Sequence, residues 1–192
     1  MYYLIAIFIS IILTVLMNLL FFLPFTIENL IMTAGAVCIG AVAAFAIDGI
    51  SALILRRLTP KSWYRPNRRI FTVSKKEKNF YNRLKIKAWK DKVPELGGFT
   101  SFHKNELKSE SDPVYLERFI IEANYGVIIH IANALLGILI VFIPYCNAPS
   151  VCIPVIAVNF ILSILPVFIL RYTSYTLLRL YNRSVRKKVF RP

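Results

Sequence analysis

The sequence predicts an all-α integral membrane protein: four transmembrane helices, with a basic, aromatic-rich cytoplasmic interfacial segment between helices 2 and 3. Three observations carry this. Apolar residues make up 57% of the 192-residue chain, above the share of about half found in soluble domains. They gather into four long stretches. Charge is segregated as well: residues 1–55 and 119–170 hold no Lys or Arg, whereas 56–118 hold 17 and 171–191 the other 7. A formal charge of +14 could point to nucleic acid. Basic loops gathered on one side of a membrane explain the same charges, so no nucleic-acid partner is expected.

The first span, "YLIAIFISIILTVLMNLLFFL", covers residues 3–23 and is closed by Pro24. The second runs over about 29–55, up to Arg56 and Arg57; the third over about 120–143; the fourth over about 153–170. Each is near the ~20 residues that cross a hydrocarbon core. Backbone in lipid must satisfy its own hydrogen bonds, so helix is the expected form. No Lys or Arg precedes the first apolar run and no small-residue cleavage site follows it, so it reads as a span and not as a signal peptide. The positive-inside bias places a multi-pass chain in the cell membrane with both termini cytoplasmic. The expected organisation is a hairpin at 1–55, an interfacial segment at 56–118, a second hairpin at 119–172 and a basic tail at 173–192. Cys146 and Cys152 share a short outer loop and could pair, while Cys38 lies mid-span. Nothing has zinc-like spacing, so no metal is expected.

The interfacial segment interleaves basic residues with Trp63, Tyr64, Phe71, Phe80, Tyr81, Trp89, Phe99, Phe102 and Tyr115. Trp and Tyr favour the headgroup layer, and Lys and Arg favour anionic lipid. Membrane lipid is therefore the first expected partner. "KKEKNFYNRL" fits a helix with Phe80, Tyr81 and Leu84 toward lipid. "RLKIKA", residues 83–88, alternates polar and apolar like a short strand or extended stretch. Pro94 and Gly97-Gly98 break regular structure.

The third span carries an unusual stripe. Arg118, Glu122, Gly126, His130, Asn133 and Gly137 recur at steps of 4, 4, 4, 3 and 4, which is one helix face. The second span has Ala36, Gly40, Ala44 and Asp48 at steps of four; small residues allow close helix approach and turn Asp48 into the bundle. Asn133, Asn159 and Ser163 read as interhelical hydrogen-bonding glue. Arg118 and Glu122 could pair at the helix entrance. An ionisable group at depth, however, costs about 2.5–3.5 kcal/mol or more and marks function. Glu122, His130 and Asp48 are accordingly the candidate site.

Certain motifs are familiar. "EKNFYNRLKIKAWKDKVPELGGF", "ERFIIEANYGVIIH" and "LPVFILRYTSYTLLRLYNR" together resemble the glycosyl-4,4'-diaponeurosporenoate acyltransferase family over roughly residues 65–183. The resemblance rests on Glu77, Ile86-Lys87, Trp89-Lys90-Asp91, Pro94 and Phe99. It continues through Arg118, Phe119, Glu122 and His130, then Arg171, Tyr172 and Leu177. Val127 stands where the family has a second Glu, and Thr173 to Thr176 diverge from its last motif. The resemblance implies a small bacterial membrane enzyme that acylates a sugar hydroxyl on an amphiphile.

Acyl transfer to a hydroxyl needs a base, donors for the developing oxyanion and room for an acyl chain. His130, with an unperturbed pKa near neutrality, suits the base. Glu122 and Asp48 are the supporting carboxylates. Lys90 and nearby basic residues could hold the phosphates of an acyl-CoA-like donor; no resident cofactor is expected. Trp89 could wall the acyl channel, while Asp91 most simply satisfies a neighbouring Lys. Arg118, Asn133 and His103 complete the candidate substrate-binding set. No Ser or Cys has a nucleophile setting, so direct transfer is expected. The competing reading is a non-catalytic membrane subunit or scaffold, with a membrane protein partner or a second copy of itself packed on the stripe.

Overall fold

Among the described residues six α-helices follow one another: α1 (Tyr2–Phe21), α2 (Ile27–Leu58), α3 (Lys75–Arg83), α4 (Ile86–Trp89), α5 (Pro113–Leu136) and α6 (Pro149–Phe190). The structure, a computed structural model, describes residues 2–93 and 112–190. Among them there is no strand. Short 3-10 turns fill Lys61–Tyr64, Arg69–Phe71 and Lys90–Lys92, and Gly137–Phe142 prolongs α5. Four helices are long and apolar enough to cross a membrane, namely α1, α2, α5 with its extension, and α6. The four-span expectation is met.

The helices begin and end where local chemistry requires. Pro24, lacking an N–H, stops α1, and the Asn18 carbonyl accepts from the N–H groups of both Phe22 and Leu23 at 2.9 Å. Thr26 Oγ1 caps α2 by accepting the Asn29 N–H at 3.2 Å. Asp112 accepts the Val114 N–H at 2.9 Å, and Pro113 fits the first helical position, so α5 starts before the apolar run does. At about 1.5 Å per residue, the 42 residues of α6 exceed a ~30 Å hydrocarbon core, and its last turns carry basic residues.

The chain forms two compact units, residues 1–54 with 129–164, and residues 55–128 with 165–192. The first has an apolar core of Val15, Leu19, Ala36, Val37, Ile140, Cys146, Val151 and Val155. The small-residue row of α2 does what its spacing implies. Ala36 and Gly40 are buried, and a Cβ on Gly40 would meet Val155 Cγ1 at 3.3 Å. Cys146 and Cys152 are both free thiols; Cys146 donates to the Ala36 carbonyl at 3.1 Å.

The second unit has two apolar clusters. One gathers Val73, Tyr81, Ile86 and Ile169, and the other Leu116, Phe119, Ile120 and Leu177. Here two expectations fail. Residues 83–88 are not a strand. Lys85, at φ 52°, ends α3, and α4 starts directly after it with Ile86 fully buried. The alternating pattern is the seam between two helices. Tyr81 does not face lipid either: it is only 5% exposed, because its hydroxyl finds a carboxylate one helical turn earlier.

Candidate active site

In the second unit, Ser74 caps α3 by accepting the Glu77 N–H at 3.1 Å. That cap fixes Glu77 in the first turn. Arg171 of α6 grips its carboxylate with two prongs, Nε to Oε1 at 2.6 Å and Nη2 to Oε2 at 2.9 Å. Tyr81 donates to Oε1 at 2.7 Å, and Arg171 Nη1 donates to the Ile70 carbonyl at 3.2 Å. Burial pushes the Glu77 carboxyl up. Hydrogen bonds from Arg171 and Tyr81, the Arg171 charge and the Ser74 N–H together outweigh that, and the group titrates below its ordinary range. Tyr81 is pushed up to about 12, by burial first and then by its bond to Glu77. A carboxylate so fully engaged is a positioning group and a poor base.

Lys78 stands next to this pair. Its Nζ lies 3.2 Å from the Tyr172 ring centroid and donates to the Tyr172 carbonyl at 3.0 Å. Burial pushes the Lys78 ammonium below its usual range. Tyr172 also lines a groove of about 530 Å³, together with Asn82, Lys85, Ile86, Lys87 and Ala88.

A second cluster in the same unit pins the end of α2 to α5. Arg56 Nη2 donates to Glu122 Oε2 at 2.9 Å and its guanidinium lies 5.4 Å from the Tyr125 ring centroid. Tyr125 stacks on Tyr64 at 3.7 Å and donates to the Thr59 carbonyl at 2.8 Å. Asn124 donates to the Tyr64 carbonyl at 2.9 Å.

In the first unit three neutral side chains, Ser51, Asn133 and Asn159, form a hydrogen-bonded layer. Asn159 donates to the Asn133 carbonyl at 3.2 Å, and the Asn133 side-chain amide meets Ser51 Oγ. Ser51 Oγ also lies 3.0 Å from the Asp48 carbonyl, and a hydroxyl has one proton to give. With Asn133 Oδ1 toward Ser51, its Nδ2 is buried without a partner. Turning the amide over removes the competition for the hydroxyl proton, since Nδ2 then donates to Ser51 and Ser51 donates to Asp48, and it places Oδ1 in the unpartnered position. Gly137 is required beside this layer, because a Cβ there would run into the Asn159 amide.

Residues 60–183, well over half of the chain, match the profile of the glycosyl-4,4'-diaponeurosporenoate acyltransferase family. The chain belongs to this family. No curated protein and no solved structure matches it. Two of the motif residues that carry the family likeness, Glu77 and Arg171, are thus the two ends of one ion pair.

The predicted site residues of this acyltransferase-family chain fall in several places. In the first unit, Asp48 and His130 are half-buried on α2 and α5, and Asn133 is 1% exposed. Glu122, in the second unit, is held by Arg56, a partner 66 residues away that spacing along one helix does not suggest. Arg118 is exposed. Trp89 donates its indole N–H to the Leu84 carbonyl at 3.0 Å and packs against the Tyr81–Ile86 cluster. Lys90 and Asp91 pair with each other at 3.1 Å, as expected for Asp91. His103, Pro94 and Phe99 lie outside the described residues. Among the described residues no His, Cys, Asp and Glu group could hold a metal.

Sequence reasoning left Glu77, Tyr81, Lys78, Tyr172 and Arg171 out of the site. A signal was present. Glu77 is the only acidic residue between Asp48 and Asp91, and Arg171 is the first basic residue after 52 without one. Arg171, at the end of a long uncharged stretch, requires a counter-charge.

Proposed function

We propose that the chain is a membrane-embedded O-acyltransferase. It moves a fatty acyl group from an activated donor onto a hydroxyl of a glycolipid-like or other amphiphilic acceptor at the inner leaflet of the cell membrane. The observation that carries this is the family match over residues 60–183. It gains support from the structure of the matched motifs, which build a two-pronged charge clamp beside an open groove.

In the reaction the acceptor oxygen bonds to the acyl carbon. The bond from that carbon to the donor's leaving atom breaks, and the hydroxyl proton passes through a base to the leaving group. His130 is the proposed base, as a half-buried imidazole in a span. Asp48 and Glu122 are the proposed carboxylates of the machinery, and Glu122 is oriented by Arg56. Glu77 and Arg171 hold α3 on α6 and so position the groove.

The test is acyl transfer by purified protein in proteoliposomes supplied with radiolabelled palmitoyl-CoA and a glycosylated amphiphile. Label reaching the glycolipid, and falling about 100-fold or more in His130→Ala, supports the reading. Label that stays on the donor opposes it.

One observation favours the alternative of a non-catalytic subunit. Val127, in place of the family's second Glu, is buried at 3% exposure. In that case His130→Ala changes the amount of protein or partner and no lipid product.

A further inference from the structure

We infer that the groove lined by Asn82, Lys85, Ile86, Lys87, Ala88 and Tyr172 binds the phosphates of a coenzyme-A-type acyl thioester. The inference rests on the acyltransferase reading and assigns that activity's donor site.

Lys90, the residue that the sequence offers for this role, is neutralised by Asp91 at 3.1 Å. The groove holds two other lysines, Lys85 and Lys87, and among the described residues no acidic one contributes to its lining. Asn82 adds an amide donor on the same wall. Ala88 and Tyr172 supply apolar surface, with Ile86 buried behind them. A volume of about 530 Å³ is that of a small-molecule site. Such a lining suits a ligand with anionic oxygens at one end and a largely apolar chain behind them. Two cations and an amide suit several phosphate oxygens better than the single diester of a membrane phospholipid.

The backbone adds an independent observation. Lys85 sits at φ 52°, ψ 36°, a left-handed conformation that glycine or asparagine adopts readily and lysine only at a cost. Such outliers gather at ligand clamps. Here the turn separates α3 from α4, and the residue that makes it is also on the groove wall.

The strain supplies a clean test. Lys85→Gly removes the charge while suiting the backbone, so the fold survives. The experiment is equilibrium binding of a non-hydrolysable palmitoyl thioether of coenzyme A to the full-length protein in nanodiscs of neutral phosphatidylcholine. Lys85→Gly and Lys87→Gln should each weaken binding about tenfold, the size of one charge-assisted contact. Lys90→Gln should change it less than about threefold. The palmitoyl thioether of pantetheine, which has no phosphate, should bind weakly and ignore all three changes.

Binding that is indifferent to Lys85 and Lys87, or that depends on Lys90, overturns the assignment. So does displacement of the probe by phosphatidylglycerol vesicles but not by free coenzyme A, which identifies a lipid phosphate as the occupant. Product formation followed in parallel separates the two levels. Product with lysine-independent binding sinks this groove and leaves the activity standing. Lysine-dependent binding without product supports the groove and sinks the activity.

Discussion

The two units of the molecule solve the same problem, a polar side chain away from bulk water, by different chemistry. In residues 1–54 and 129–164 the bonded layer is neutral: beside the ionisable Asp48 and His130, the side chains of Ser51, Asn133 and Asn159 bond to one another or to backbone carbonyls. In residues 55–128 and 165–192 it is ionic and aromatic: Glu77 with Arg171, Glu122 with Arg56, and Lys78 over Tyr172. The difference follows from composition. The second unit contains all 24 basic residues, so each carboxylate there has cations to choose from. Neutral glue in a span contributes about 0.6–2 kcal/mol per bond, whereas breaking a well-formed buried ion pair costs about 3–5 kcal/mol.

The comparison breaks most visibly at Arg171. Arg171→Ala should destabilise the protein by about 2–3 kcal/mol, less than a fully buried pair, since the two side chains remain 19% and 25% exposed. Arg171→Lys should recover part of this, because one ammonium cannot reproduce a two-pronged grip. Denaturant unfolding in detergent micelles, with both variants side by side, measures it. Equal losses for Lys and Ala would remove the geometric part of the claim.

The neutral layer should respond less. Asn133→Ala should cost about 1 kcal/mol. Gly137→Ala should cost about the same, because its Cβ displaces the Asn159 amide and with it one hydrogen bond. The two act on different bonds, since Asn133→Ala removes the side-chain contact with Ser51 and keeps the backbone carbonyl that accepts from Asn159.

Acid should distinguish the units as well. The folded-state pKa of Glu77 lies below its ordinary value of 4.5. Its contribution is therefore fully present above about pH 4.5 and is lost as pH falls through the lower folded value. Glu77→Gln should flatten the stability profile in that acid range and leave the slope near neutrality unchanged. Smallest of all should be Asp91→Asn. The Asp91 side chain is 74% exposed, and an exposed pair is worth about 0–1 kcal/mol. A large loss of activity without loss of stability in Asp91→Asn would restore it to the substrate-binding set.

The spans were legible because a long apolar run has one solution in lipid, a helix that satisfies its own backbone. Their ends were less so. α5 begins at Asp112-Pro113, a cap and first-turn pair, ahead of the hydropathy signal that places the span at about 120. The site was legible only in part. One-dimensional spacing finds residues on one helix face, and it found the stripe from Arg118 to Gly137. It does not find pairs made across elements, so Arg56 with Glu122 and Glu77 with Arg171, 66 and 94 residues apart, stayed hidden. Tyr81 was within reach of sequence reasoning: it lies four residues after Glu77, the spacing at which helix side chains meet. The strand or extended stretch expected at 83–88 failed because one left-handed residue, Lys85, turned two helical ends into an apparent alternation.

Untargeted lipid mass spectrometry tests the central claim most directly, on cells expressing wild type or His130→Ala at matched protein levels. The account predicts a lipid species heavier by one acyl group in wild type, absent with the variant, and its mass identifies the acceptor. Identical lipid profiles from the two, with both proteins present in the membrane, would contradict it.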